Sequence, residues 1–373
     1  MNLAFTEDEL AMRDEFRRVL ASSGARQGLN RIEAGEDCDR TLWQRLAETG
    51  WLAAGIAEAD GGNALGDTVL CLLAEESGRQ AVAVPFVASS CGYAGGLATA
   101  DDVIRRQWLP RLADGSQTGI VLTPQDWNGT PALQAHDGGW TLSGRTGWVR
   151  AGAAATAAMA RVDGERGPWI VVFALPPGER LADADRTLDV LHPPARFEFR
   201  ELPVTVIAAG DAAERQWQAL LDRCALFVAF EQLGGAQVAL DMARDYSLTR
   251  YAFGRAIGSF QALKHAMADM LAAVELARSN CYYGAAALDG DAETFAEAAA
   301  VARIAATDAY RLCARQNLQI HGGIGVTWEA DAHLHYRRAQ SLATALGTPA
   351  FWKERLIAQL IARRRPAHAS TTP

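Results

Sequence analysis

What this chain of 373 residues lacks already excludes several functions. Its six cysteines, at 38, 71, 91, 224, 281 and 313, form no CxxC pair, so neither a zinc site nor a redox dithiol is signalled. Scattered free thiols suit a reducing compartment, and a cytoplasmic location is expected. Basic residues are outnumbered, 36 against 44, for a formal net charge of −8; a nucleic-acid binder would carry a basic face instead. The uncharged run 81–100 is broken by Pro85, Gly92, Gly95 and Gly96 and makes a poor membrane span. No GxGxxG opens a helix after a strand, no P-loop occurs, and no internal repeat is visible. His321 and His333 have no acidic or cysteine companions at ligand spacing, so no metal site is expected and both are read as packing or interface residues.

What is present is an ordinary globular composition, 49% hydrophobic and 21% charged, in a chain long enough for two or three units. The start, MNLAFTEDEL, reads as a helix start and not as a signal peptide: Thr6 is the N-cap, Glu9 completes a capping box, and Phe5 with Leu10 form a staple. Helical spacing continues to about residue 115, with Glu75–Gly78 and Asp114–Gly115 as punctuation. Short β-branched and aromatic runs bounded by Gly and Pro then follow. In ARFEFRELPVTVIA, Phe197 and Phe199 face one way and Glu198 and Arg200 the other. From Gly210 the helical period returns until about Arg364, and the basic tail beyond is expected to fray. The expected architecture is therefore α+β: an N-terminal helical domain (1–115), a small middle β domain (116–207) and a C-terminal long-helix bundle (208–373).

Two segments of the bundle carry the strongest signals: DYSLTRYAFGRAIGSFQALKHAMADM at 245–270 and LQIHGGIGVTWEADAHLHYRRA at 318–339. In the first, Arg250 and Arg255 flank a turn containing Gly254, and arginine suits a pyrophosphate because its fork delivers paired, charge-assisted hydrogen bonds. Gly254 and Gly258 let backbone approach a ligand, and Gln261 offers an amide. In the second, Gln319 ends a helix and Gly322–Gly323 form a surface free of side chains.

Both segments closely resemble the flavin-binding segments of acyl-CoA dehydrogenases. The resemblance extends to the helix–sheet–helix order and to GWLAAGIAEADGGNALGDTVLCLLAEESGR, and so covers nearly the whole chain. It implies FAD as cofactor, with Arg250, Phe253, Gln261, Gln319, Gly322, Gly323, Trp148 and Thr123 as its contacts. It also implies that the second segment reaches flavin held mainly by a neighbouring subunit, hence a homodimer, a tetramer or an α2β2 heteromer.

The family's chemistry removes the α-proton of an acyl-CoA thioester and passes the β-hydrogen as hydride to the flavin, with an electron-transfer flavoprotein downstream. A carboxylate in a dry pocket is the base this requires. The family's Y-E-G-T phrase falls on Ala345–Thr348, where Leu346 replaces the glutamate; a second branch's base position falls on Cys224. Glu231 is the remaining candidate on the same helix. Seven residues amount to about two turns, which puts Glu231 on the face of Cys224 about 10 Å further along. Two roles stay open for it: the base, or a structural carboxylate paired with Arg244 or a helix end. Asp222 is a weaker candidate.

The middle segment departs from the family too. LTPQDWNGTPA keeps Thr123 of a T-E-P-x-A-G-S-D phrase, with Asn128–Thr130 in place of Gly-Ser-Asp. In a W-x-T/S phrase, Trp148 matches and is read as either a flavin neighbour or a core residue, while Arg150 replaces the hydroxyl. These departures resemble a bacterial branch that is often α2β2 and acts on bulky acyl-CoAs, including steroid-derived ones. Three functions follow as expectations: an α,β-desaturating acyl-CoA dehydrogenase with Glu231 as base, a non-catalytic subunit that completes a partner's flavin site, or a desulfinase or eliminase on the same fold.

Overall fold

The computed structural model describes residues 4–136, 138–164, 167–180 and 187–364; the tail from 365 onward lies outside the described residues. The chain opens with α1 (Glu7–Leu20), and the Thr6 capping box forms: the Glu9 carboxylate accepts from the Thr6 N–H at 2.7 Å, and the Glu9 N–H donates to Thr6 Oγ1 at 3.2 Å. Helices α2 (Ala25–Glu33), α3 (Arg40–Glu48), α4 (Gly66–Arg79), α5 (Ala94–Leu97) and α6 (Asp102–Ala113) follow, with a π-helical turn over Val87–Tyr93. Asp114 and Gly115 close α6, and Gly115 takes a φ of +75°.

The sheet is six-stranded. Its strands are β1 (Gly119–Leu122), β2 (Ala132–His136), β3 (Gly139–Arg145), β4 (Ala157–Gly164), β5 (Gly167–Ala174) and β8 (Glu198–Ala209), ordered β1-β4-β5-β8-β3-β2. Among the described residues only its β1–β4 pair is parallel. Two short strands, β6 (Glu179–Arg180) and β7 (Ala195–Arg196), form a side ribbon. Phe197 and Phe199 are buried and stack against each other, while Glu198 and Arg200 face solvent, as the alternation predicts. Strand β8 runs to Ala209, two residues past the expected boundary, and α7 (Gly210–Thr249) starts directly from it.

The bundle consists of α7, α8 (Gln261–Ala286), α9 (Ala292–His321), α10 (Ala332–Thr344) and α11 (Pro349–Arg364). It is continuous with the first helices: Phe16, Leu20, Val69 and Leu73 share one core with Leu226, Phe227, Phe230 and Leu233 of α7. Each such side chain contributes about 1.5–3 kcal/mol on burial.

Glu75–Gly78 forms the last turn of α4, which ends at Arg79 as expected, and it also has a packing role. All four residues are buried inside α4, where it crosses α7 backbone to backbone. A Cβ at Gly78 would lie 1.8 Å from the Glu231 carbonyl oxygen, and one at Gly234 would lie 1.9 Å from that of Glu75. Two glycines thus set the helix spacing that places Glu231. Gly234→Ala is expected to cost about 1–3 kcal/mol by overpacking, read as a lower melting temperature; an unchanged melt would contradict the close crossing.

Candidate functional site

The pocket that collects the sequence candidates lies where the π-helical turn, β1, α7 and the turn after α10 converge. Cys224, Val228 and Glu231 line it from α7; Ala345 and Leu346 line it from the turn; Thr123, Asp126, Val149 and Arg150 line it from the middle region. Both positions left without a base, Cys224 and Leu346, therefore face the same space as Glu231. Cys224 is no substitute base, because burial pushes its thiol up to about 12. Leu346 holds a left-handed φ of +59°, followed by Gly347 at +122°. Arg303 donates to the carbonyls of Leu342 and Ala345 and fixes this turn from α9.

Glu231 is 4% exposed. Arg244 is not its partner; that side chain pairs with Asp241 and Asp245. The pairing comes instead from Arg150 Nη2 at 3.5 Å and Arg338 Nη1 at 3.8 Å, and among the described residues no hydrogen bond reaches the carboxylate. Its oxygens are thus near charge but not saturated. Asp222 is spent: Arg355 grips it with contacts of 2.7–3.0 Å, away from the pocket.

Behind Glu231 lies a buried ionic cluster that sequence reading did not assemble. Arg338 donates through Nε to Asp189 at 3.1 Å and through Nη2 to His192 Nδ1 at 2.7 Å and the Val82 carbonyl at 3.0 Å. Arg150 donates to Asp189 at 3.3 Å and to His192 Nδ1 at 3.0 Å. With Nδ1 accepting, His192 Nε2–H donates to the Val84 carbonyl at 3.1 Å, which fixes the tautomer. Burial, reinforced by Arg150 and Arg338, pushes His192 down to about 3 and keeps it neutral. His335, bonded to Tyr310 at 3.0 Å, is pushed down to about 4 by burial and Arg338. For Asp189, burial works to raise the carboxyl, but Arg338 and Arg150 outweigh it and hold it well below the usual range. Arg303 remains cationic although burial lowers it to about 10. Arg150 and Arg338 therefore pair with both Asp189 and Glu231, while Arg303 acts on Glu231 only through space.

Asp126 is a second carboxyl in the pocket, unmarked by any motif. The Thr123 N–H and hydroxyl donate to it at 2.6 and 2.8 Å, and burial raises its carboxyl. Thr123 thus serves its own turn as well as lining the pocket. Trp148 is not a core residue: it is 43% exposed, with the Arg196 guanidinium 5.1 Å over its ring.

The other flavin candidates lie at one end of the bundle, outside the pocket. Strands β9 (Tyr251–Ala252) and β10 (Arg255–Ala256) form a hairpin whose turn residues, Phe253 and Gly254, take φ of +54° and +78°; Phe253 is 94% exposed. Arg250 and Gln261 flank it, both exposed. Gly258 has an internal reason to be glycine, since a Cβ there would meet Ser247 Oγ at 2.8 Å. Gln319 lies in the last turn of α9, Gly322 takes a φ of +65°, and Gly322 and Gly323 have open space where side chains would be. The Tyr246 and His321 rings stack at 4.2 Å and bring the two motifs side by side. Exposed arginine and bare glycine backbone fit a phosphate-bearing cofactor. Among the described residues no group of histidine, cysteine and carboxylates could hold a metal, and no helix is long and apolar enough to cross a membrane.

Residues 6–116 match the family model "Acyl-CoA dehydrogenase, N-terminal domain", and residues 215–361 match "Acyl-CoA dehydrogenase, C-terminal domain". The chain is 32% identical over 338 residues to acyl-CoA dehydrogenase FadE34 of Mycobacterium tuberculosis, covering 89% of this chain but only 44% of that longer protein. It is 30% identical over 312 residues to acyl-CoA dehydrogenase IpdE2 of the same organism, covering 83% of this chain and 84% of the relative. Among solved structures, a chain of the Tcur3481-Tcur3483 steroid ACAD superposes with a TM-score of 0.85 at 27% identity, over 96% of this chain and 98% of that one. The helix–sheet–helix architecture and these matches agree: the chain belongs to the acyl-CoA dehydrogenase family, a group of oxidoreductases acting on acyl-CoA.

Proposed function

We propose that this chain is an FAD-dependent acyl-CoA dehydrogenase that introduces an α,β double bond, with Glu231 as the base. One observation supports this above the others: Glu231 opens onto the same pocket as Cys224 and Leu346, so the carboxylate has moved along α7 while still serving the same space. FAD, when bound, supplies the two-electron acceptor; Arg250, Phe253, Gln261, Gln319, Gly322, Gly323, Trp148 and Thr123 are the residues proposed to hold it. An acyl-CoA enters the pocket, whose apolar walls, such as Val87, Ile120 and Val228, exclude water around the thioester. Glu231 then takes the α-proton. Electrons pass on to an electron-transfer flavoprotein in the cytoplasm. The likeness to a steroid ACAD favours a bulky, steroid-derived acyl group over a simple fatty one.

A second reading concerns assembly. Phe253, Arg250, Gln261 and the Gly322–Gly323 backbone are exposed at one end of the bundle, away from Glu231. In this reading a second subunit, identical or different, meets that end, and in an α2β2 heteromer this chain completes the partner's flavin site. The test is to purify the full chain alone and with the product of its neighbouring gene, and to add acyl-CoA without oxygen. Bleaching of the visible flavin band is the expected result. Stoichiometric flavin and turnover in the lone chain would exclude a purely supporting subunit. Tight acyl-CoA binding without bleaching would favour elimination chemistry on the same fold.

A further inference from the structure

The guanidinium of Arg150 is held from one side only. Its Nε and Nη2 are committed to Asp189, His192 and Glu231, whereas Nη1 makes no hydrogen bond among the described residues, and the side chain lines the pocket. Ordinarily a donor fixed so firmly through two nitrogens is aimed, not mobile. The charged and titratable groups around it come from five places: Glu231 from α7, Asp189 and His192 from the loop before β7, Arg338 and His335 from α10, Arg303 and Tyr310 from α9, and Asp126 from the turn after β1, which lines the same pocket. With both histidines neutral, Arg150 and Arg338 pair with Asp189 and Glu231. Protonating Glu231 leaves these two guanidiniums with Asp189 alone unless a new anion forms beside them, and uncompensated buried charge is costly.

We infer that Arg150 is a second catalytic residue, donating Nη1–H to the thioester oxygen as the enolate forms; this rests on the reading of Glu231 as base. The Cα–H bond breaks and its proton forms an O–H bond on Glu231. The C–H electron pair becomes the bond between Cα and the carbonyl carbon, and the carbonyl π pair moves onto oxygen, where Arg150 meets it. Arg150 keeps its protons, and no oxidant is needed for this step. One negative charge moves from Glu231 to the substrate while remaining in the field of the same arginines. A donor placed in advance at the developing charge accelerates such a step by about a hundredfold or more.

The test uses acetoacetyl-CoA, whose enolate absorbs in the near ultraviolet, as a bound enolate mimic. In the purified flavin-loaded protein its ionisation should shift to lower pH on binding. In Arg150→Gln the shift should shrink by about two pH units, a hundredfold in the enolate equilibrium. Arg150→Lys, which keeps one charged donor, should fall between the two. Exchange of α-hydrogens with deuterated water, followed by mass spectrometry on a saturated acyl-CoA, should slow in parallel. If Arg150→Gln melts too low to study, the comparison is read on Arg150→Lys, expected at least about tenfold slower than wild type in exchange. Equal ionisation and exchange in wild type and the variants overturns the role of Arg150 alone. Failure of the wild type to bind either CoA ester, or unchanged exchange in Glu231→Gln, overturns the reading of the site beneath it.

Discussion

Glu231→Gln is expected to lower the rate of flavin reduction by at least about a thousandfold while flavin and acyl-CoA still bind. Glutamine keeps the shape and hydrogen-bonding reach of the side chain and removes only its capacity to take a proton. The pocket would be preserved because its walls are set elsewhere: by the close crossing of α4 and α7 at Gly78 and Gly234, and by Arg303 on the carbonyls of Leu342 and Ala345. One cost is expected. Arg150 and Arg338 would lose one of their two shared carboxylates and keep only Asp189, so a lower melting temperature should accompany the loss of rate. Anaerobic single-turnover bleaching separates these effects, because binding is scored by the initial spectral shift and proton removal by the slower phase. Wild-type bleaching in Glu231→Gln removes Glu231 from the mechanism and leaves Asp126 as the pocket carboxylate to be changed next.

How far this site could be read from sequence follows from the distances along the chain that it spans. Glu231 was legible because it shares one helix with Cys224, and seven residues of α-helix fix their relation without tertiary knowledge. Its partners were not. Arg150 enters from the loop after β3 and Arg338 from α10, more than eighty residues away on either side, and nothing in local periodicity ties those positions together. Arg244 looked plausible by proximity in sequence, but at thirteen residues it sits on a different part of the helix and pairs with Asp241 and Asp245. The overall α+β order was legible because helices and strands leave different periods, as the Phe197/Phe199 alternation and the uninterrupted period of α7 illustrate. The helix end near Gly78 was legible but its packing role was not, because a glycine near a helix end and a glycine that admits a second helix look alike in one dimension; only the crossing with α7 distinguishes them. Arg150 was noticed as a departure from a motif, while Asp189 and His192, which hold it, follow residues outside the described set and carry no pattern of their own.

Acid should unfold this protein well above the pH at which exposed carboxylates titrate, because the cluster contains histidines that cannot charge in place. His192 and His335 have folded-state values of about 3 and about 4, each depressed first by burial and then by neighbouring arginines. Above pH ~6.5, the ordinary histidine value, both are neutral whether the chain is folded or not, and they leave stability unchanged. As the pH falls below that, the unfolded chain takes up two protons that the folded chain refuses, so stability drops by about 1.4 kcal/mol per pH unit for each histidine. Asp189 acts in the same direction but later: its depressed carboxyl stabilises the fold above the ordinary aspartate value of about 3.9 and loses that contribution only as the pH falls further. Urea unfolding midpoints measured from pH 7.5 to pH 4.5 should therefore fall steeply below about 6.5. Asp189→Ala should remove about 3–5 kcal/mol even at neutral pH, since it leaves Arg338 and Arg150 in the interior with only the longer contacts to Glu231. A flat profile between pH 7 and pH 5 would mean that these histidines reach solvent or gain a counter-ion on protonation. A mild Asp189→Ala would mean that Glu231 alone balances both arginines, and either result would redraw the charge count from which the roles of Glu231 and Arg150 are argued.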